Sequence, residues 1–291
     1  MKPIRREDIK DWLRFISANY SEQTRMTYTA ALKDYFSWVK RKYGKPLFPN
    51  WRMIQQWLDD LTERGFSDMS KHTYYRALKN FLKYHDLDSV VSEFEKRGAV
   101  PRVNIVKTDT LTKAEIEKLL KKVKKLRDKL LIRLLYVCGL RVSELVNLKE
   151  KDYIRDKRAI RIVAKKKRGG IHYFTHKIDG ETARLIEEWL EKKPKSKWLF
   201  PGKNPRRPIT PRAVRYIVSR AGEKILNKHI WPHLLRHTIA SRLARAGYPA
   251  QYIATYIRDT LKAAERYIHM TPEEVTEKIV SEMFESEAES V

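Results

Sequence analysis

The sequence predicts a mainly helical protein of two domains, with a small antiparallel β-sheet confined to the second. Three observations predict this. Apolar residues recur at helical spacing through the first hundred residues, the periodicity breaks at Arg97-Gly98-Ala99-Val100-Pro101, and two β-rich runs flank a very basic turn later in the chain. The expected organisation is a helical domain over 1–100, a connector over 101–110 and a second domain over 111–291.

In the first domain Ile9, Trp12, Leu13 and Ile16 fall on one helical face, as do Tyr28, Ala31, Leu32, Tyr35 and Phe36. Ile54, Trp57, Leu58 and Leu61 form a third stripe, and Tyr74, Leu78, Phe81 and Leu82 a fourth. Four or five short helices follow, with Pro46, Pro49 and Gly65 in their connectors. Val103 to Thr110 reads as extended. Thr112 is then expected to cap a helix, and Glu115 to complete a capping box. Residues 112–137 read as one or two helices with Ile116, Leu119, Leu130 and Leu134 inward. Ile160-Arg161-Ile162-Val163 and Ile171-His172-Tyr173-Phe174 read as a hairpin around the basic turn 164–170. Helices are expected near 179–192, 210–226, 233–246 and 249–257, and a last one from about Pro272, striped by Val275, Ile279 and Met283.

Charge narrows the function classes. The chain has 291 residues, with 62 Lys plus Arg against 36 Asp plus Glu, a formal net charge of +26. Hydrophobic residues make up 42%, so the charge rides on a folded protein and not on a disordered basic tail. Residues 1–100 carry net +6, 101–270 net +26 and 271–291 net −6, which makes the end an acidic tail. Such an excess calls for a polyanionic partner, with nucleic acid first in line. No apolar run is long enough to span a membrane, and the opening MKPIRREDIKDWLRF has no apolar core for export, so a cytoplasmic location is expected. The single cysteine, Cys138, rules out an internal disulfide and a multi-cysteine zinc site.

Three segments carry chemistry. In Cys138-Gly139-Leu140-Arg141-Val142-Ser143-Glu144-Leu145, Gly139 is placed to end a helix and Ser143 or Arg141 to open the next, which puts Arg141 at a helix entrance facing a phosphate; a surface pair with Glu144 is an equal reading. In Trp231-Pro232-His233-Leu234-Leu235-Arg236-His237-Thr238, His233 and Arg236 share a helix face, while His237 also fits as a satisfied interior histidine. The third segment runs from Tyr256-Ile257-Arg258-Asp259 to Tyr267-Ile268-His269; alone, Tyr267 is one of 15 tyrosines and fits a buried position.

Taken in order, these segments resemble the tyrosine recombinase (integrase) family, most closely its Xer-type and archaeal members, over essentially the whole chain. The family's G-L-R-x-S-E-L box is matched by Gly139 to Leu145, its H-x-L-R-H-T box by His233 to Thr238, and its Y-x-H by Tyr267 to His269. The resemblance implies the two-domain recombinase architecture and a site-specific recombinase that cleaves and rejoins DNA through a 3′-phosphotyrosyl bond, for integration and excision or for dimer resolution. It implies Tyr267 as nucleophile, Arg141 and Arg236 on the non-bridging oxygens, and His233 as general acid or base. The lysine of the hairpin turn, which protonates the leaving 5′-oxygen, aligns best at Lys165, with Lys166 and Lys167 as competitors. Glu144 and His237 resemble supporting residues. Arg258 stands where the family has His or Trp, and is expected to donate hydrogen bonds to the scissile phosphate. Neither metal nor cofactor is implied. The partners implied are double-stranded DNA and, on it, further copies in a homotetramer; the C-terminal tail either exchanges between protomers or packs on its own domain. Two other readings stand beside this one: strand relaxation like a type IB topoisomerase, and a DNA-binding protein with a defunct site.

Overall fold

Three of the five helices described in the first hundred residues begin where a side-chain oxygen is ready to take a free amide of the first turn. Ser21, Asn50 and Ser67 accept from the backbone N–H of Thr24, Met53 and Ser70. The helices are α1 (Arg6–Asn19), α2 (Glu22–Tyr43), α3 (Trp51–Glu63), α4 (Asp68–Tyr84) and α5 (Asp88–Lys96). This computed structural model describes residues 2–97, 100, 101, 110–163 and 173–265. The chain divides into two compact units, Met1–Val106 and Lys107–Val291.

The first unit is built on aromatic packing. Trp12, Tyr35, Trp57, Tyr75, Phe81 and Phe94 are fully buried. Phe81 stands edge-on to Trp12 at 5.6 Å and stacks on Phe48 at 5.6 Å. A buried indole must place its N–H: Trp12 donates to Asn80 at 2.8 Å, and Trp57 to Asp34 at 3.0 Å. Arg64 holds that Asp34 carboxylate at 2.6 Å.

The second unit surrounds one apolar helix. Its elements are α6 (Lys113–Lys122), α7 (Leu126–Val137), α8 (Val142–Val146), β1 (Tyr153–Ile154), β2 (Ala159–Val163), β3 (Tyr173–Lys177), α9 (Gly180–Lys192), α10 (Pro211–Leu226), α11 (Pro232–Arg245), α12 (Ala250–Ile257) and α13 (Leu261–Glu265). The Thr112–Glu115 capping box forms as expected and starts α6. Leu130, Leu131, Ile132, Leu134 and Leu135 are all fully buried, so α7 is enclosed over most of its circumference, with Arg133 reaching out to Asp179 and Glu181. Helices α9 and α11 pack against it.

The sheet is antiparallel in the order β1-β2-β3, with Ala159 opposite Lys177 and Val163 opposite Tyr173. Two details differ from the expected hairpin. Strand β3 continues to Lys177, because Thr175, His176 and Lys177 keep the out-in-out alternation that pairing with Ala159 to Arg161 requires. The two-residue β1 adds an edge that no periodicity announces. Residues 164–172, with the basic turn, and the segment beyond Glu265, with the expected last helix, lie outside the described residues. No helix among the described residues is long and apolar enough to cross a membrane.

Phe81→Ala is expected to destabilise the first unit by about 3–5 kcal/mol, since the aromatic cage around Phe81 cannot collapse onto the space left. Denaturant unfolding followed by tryptophan fluorescence would show this as a lower midpoint.

Candidate active site

The site grows from the end of α7. Cys138 closes the helix, and Gly139 turns with φ of 54°. A Cβ on Gly139 would stand 3.3 Å from the Cγ2 of Ile257, so both the left-handed backbone and the close approach of α12 call for glycine. Two residues later Arg141 is the N-cap of α8. Glu144 accepts from the Arg141 amide at 2.9 Å and from its Nη1 at 3.0 Å. The Arg141–Glu144 pair seen in the sequence therefore forms, and it forms inside the site: the Glu144 side chain is only 7% exposed.

Arg236 arrives from α11. Pro232 opens that helix, and Arg236, one turn in, is buried. Its Nη1 donates to the Gly139 carbonyl at 2.5 Å and its Nη2 to Asp259 Oδ2 at 2.9 Å. Arg141 Nη2 meets the same Asp259 oxygen at 2.9 Å. Burial, then the charge of Arg141, pushes the Arg236 pKa below its ordinary value. Burial alone would raise Asp259, but the hydrogen bond from Arg236 and the charges of both arginines hold its carboxyl below the usual range.

Arg258 ends α12 in the left-handed region, with φ of 53° and ψ of 54°. Its guanidinium turns into the protein. Nη1 donates to the Tyr256 carbonyl at 2.9 Å, and Nη2 reaches the carbonyls of Cys138 and Gly139 at 3.0 Å each and Glu144 Oε2 at 3.1 Å. The side chain is 5% exposed. In place of the expected hydrogen bonds to a phosphate, its donors go to backbone carbonyls, among them that of Cys138 at the buried end of α7. Tyr256 ties the same junction, its hydroxyl donating to the Val137 carbonyl at 2.6 Å. Cys138 sits within it, fully buried, and burial lifts its thiol to about 12.

His233 lies one turn before Arg236 on α11 and stays exposed. Partial loss of hydration on the ring, then the charges of Arg236 and Arg141, lowers its pKa. His237 follows half-buried, its ring 6.4 Å from that of His233. Lys165, its competitors Lys166 and Lys167, and Tyr267 all lie outside the described residues. Sequence reasoning missed Asp259. Its only signal there is its position next to Arg258, and an isolated Asp after a helix end passes as a turn residue.

A groove of about 580 Å³ opens beside Arg141, lined also by Lys149, Lys151, Arg161, Tyr173 and Trp198. Arg161 stands over the Tyr173 ring at 5.1 Å and Lys149 over Trp198 at 5.7 Å. Cations backed by aromatic faces, exposed at Tyr173 and half-buried at Trp198, suit a phosphate backbone and bases.

Residues 109–274 match the phage integrase family. Among curated proteins, the chain is 29% identical over 254 residues to the tyrosine recombinase XerA of Pyrococcus horikoshii, covering 85% of this chain and 86% of that one. It is 33% identical over 205 residues to a tyrosine recombinase of Pseudothermotoga lettingae, covering 68% and 69%. Among solved structures, the Tn1549 transposon integrase in complex with circular intermediate DNA superposes with a TM-score of 0.76 at 19% identity, covering 94% of this chain and 98% of that one. XerH bound to palindromic difH substrate gives 0.66 at 22%, covering 90% and 80%. At these identities the structures speak for the fold.

Glu144→Ala is expected to cost about 3–5 kcal/mol in thermal or chemical unfolding, because it leaves the buried Arg258 without its carboxylate. A second outcome concerns His233. Its NMR titration midpoint is expected below the ordinary 6.5 and should rise in Arg236→Ala, where the cation opposing protonation is gone.

Proposed function

Because the chain belongs to the phage integrase family, we infer that it is a site-specific DNA recombinase, an enzyme that breaks and rejoins duplex strands. The observation that carries this reading is the convergence of Arg141 and Arg236 on one anionic oxygen. Each guanidinium is anchored to the protein through Nη1 and offers Nη2 to the shared anion. Two fixed cations aimed at one oxygen are what a phosphodiester needs as charge builds on its non-bridging oxygens.

On this reading the Tyr267 hydroxyl attacks the scissile phosphorus, and the P–O5′ bond breaks as the new P–O bond to tyrosine forms. His233, kept neutral by its lowered pKa, takes the phenolic proton. Lys165, or Lys166 or Lys167 beside it, delivers a proton to the leaving 5′-oxygen. The phosphotyrosyl bond conserves the energy of the phosphodiester, so a 5′-hydroxyl from another strand rejoins it by the reverse steps. Glu144 and Arg258 hold Arg141 and the Gly139 turn in place, and we assign both to positioning. His237 is assigned to support of α11, the helix that carries Arg236.

Double-stranded DNA is the substrate, and the formal net charge of +26 and the groove beside Arg141 support that partner. Relatives named for recombination favour this reading over strand relaxation. We further propose a homotetramer on DNA, acting in the cytoplasm on nucleoid or plasmid DNA. The acidic tail 271–291, with its Val275, Ile279 and Met283 stripe, supports exchange between protomers.

Covalent trapping tests this directly. Wild-type protein incubated with fragmented source DNA in chelator and then denatured is expected to retain linked DNA, whereas Tyr267→Phe retains none. Adducts with Tyr267→Phe would remove the nucleophile assignment. Arg141→Ala is expected to bind duplex DNA yet cleave roughly 10² or more slowly, the loss typical of a transition-state donor. Duplex affinity should also fall steeply as salt rises, through release of counterions.

A further inference from the structure

Asp259 occupies a peculiar position. One oxygen of its carboxylate, Oδ2, takes Nη2 of Arg236 and Nη2 of Arg141, each at 2.9 Å. The usual pairing of arginine with a carboxylate is bidentate, two nitrogens to two oxygens. Here two guanidinium groups from different helices meet a single oxygen instead. The other oxygen, Oδ1, accepts only from the adjacent Thr260 amide at 3.0 Å among the described residues.

The two arginines do not depend on Asp259 for their placement. Arg141 Nη1 is held by Glu144 at 3.0 Å and by the Arg258 carbonyl at 2.8 Å, and Arg236 Nη1 by the Gly139 carbonyl. The Asp259 and Arg141 side chains are each 22% exposed, against 3% for Arg236, so solvent reaches the carboxylate although Arg236 is enclosed. It sits in the short turn between α12 and α13, its amide bonded to the Ala254 carbonyl at 2.9 Å, so the backbone is held and displacement needs only rotation of the side chain.

From this geometry we propose that Asp259 is an internal stand-in for the scissile phosphate: its Oδ2 fills the position of one non-bridging oxygen between Arg141 and Arg236, and an arriving phosphate displaces it. This rests on the reading of the two arginines as phosphate ligands. In the DNA-free protein the carboxylate keeps two cations from repelling each other and keeps adventitious anions out. A DNA phosphate, presenting two non-bridging oxygens and delivered with many other contacts, competes successfully where a free anion does not. Asp259 is therefore a counter-charge to the two arginines at rest and a competitor on binding.

The test needs no DNA, so its failure is separable from failure of the recombinase reading. Inorganic phosphate is titrated calorimetrically into the full chain as wild type, as Asp259→Asn, and as Asp259→Asn combined with Arg141→Ala, which measures anions held elsewhere on the basic surface. Asp259→Asn keeps the shape and removes the competing charge. It is expected to bind phosphate roughly tenfold more tightly than wild type, the scale of one charge-assisted contact, with the gain lost in the double variant. Equal affinity of Asp259→Asn and wild type, or a gain that survives Arg141→Ala, overturns the proposal. Should Asp259→Asn not fold, wild-type crystals soaked in orthovanadate decide. Vanadate oxygen between the two arginines with Asp259 turned out supports displacement; Asp259 still in the cradle at saturating vanadate overturns it.

Discussion

One backbone carbonyl organises the site. The oxygen of Gly139 accepts from Arg236 at 2.5 Å and from Arg258 at 3.0 Å, so both its lone pairs are committed to cations from two different segments. That requires the carbonyl to point away from the helix it follows, which the left-handed turn at Gly139 achieves. It also requires α12 to come close, which the missing Cβ permits. Arg141 then follows two residues on, its own nitrogen returned to the Arg258 carbonyl. Three arginines far apart in sequence are thereby locked at one junction, Arg236 and Arg258 on the Gly139 carbonyl and Arg141 on the Arg258 carbonyl.

The electrostatics follow from that lock. Three guanidinium groups, Arg141, Arg236 and Arg258, face two carboxylates, Glu144 and Asp259. Surface ion pairs of the kind seen at Arg14 and Asp11 contribute little, being solvated and mobile. The site cluster differs because its members are mostly withdrawn from water and each makes several bonds. Glu144 alone receives from an amide and two guanidinium groups. Such a network is rigid when complete and costly when any member is lost. Preorganisation of this sort lets charge be stabilised without reorganising the protein at the moment of reaction.

How much of this was legible in the sequence depends on the range of the interactions. Helices α1 to α4 announce themselves because each carries its own apolar stripe, and three of them carry their own cap. The Thr112–Glu115 box is likewise local and was readable. Arg141, His233 and Arg236 were legible as motifs, and the helix turn between His233 and Arg236 as geometry. Strand β1 was not, since two residues carry no period. Nor was the inward turn of Arg258: a guanidinium next to a helix end reads as a solvent or phosphate contact until the carbonyls of Cys138 and Gly139 are known to lie beside it. Asp259 was invisible for the same reason, its partners being 23 and 118 positions away in the chain.

Cys138 gives the molecule a practical property. It is the single cysteine in the sequence, it is wholly enclosed at the end of α7, and its thiol is held at about 12. Only a thiolate reacts readily with maleimides, iodoacetamides or disulfide reagents, and here it is both scarce and out of reach at neutral pH. The native chain is thus silent to thiol chemistry without any substitution. A cysteine introduced at an exposed position such as Met26 or Tyr216 becomes the sole reactive handle. A fluorophore or spin label there reports from one known place, so the movements of each unit on DNA can be followed one site at a time.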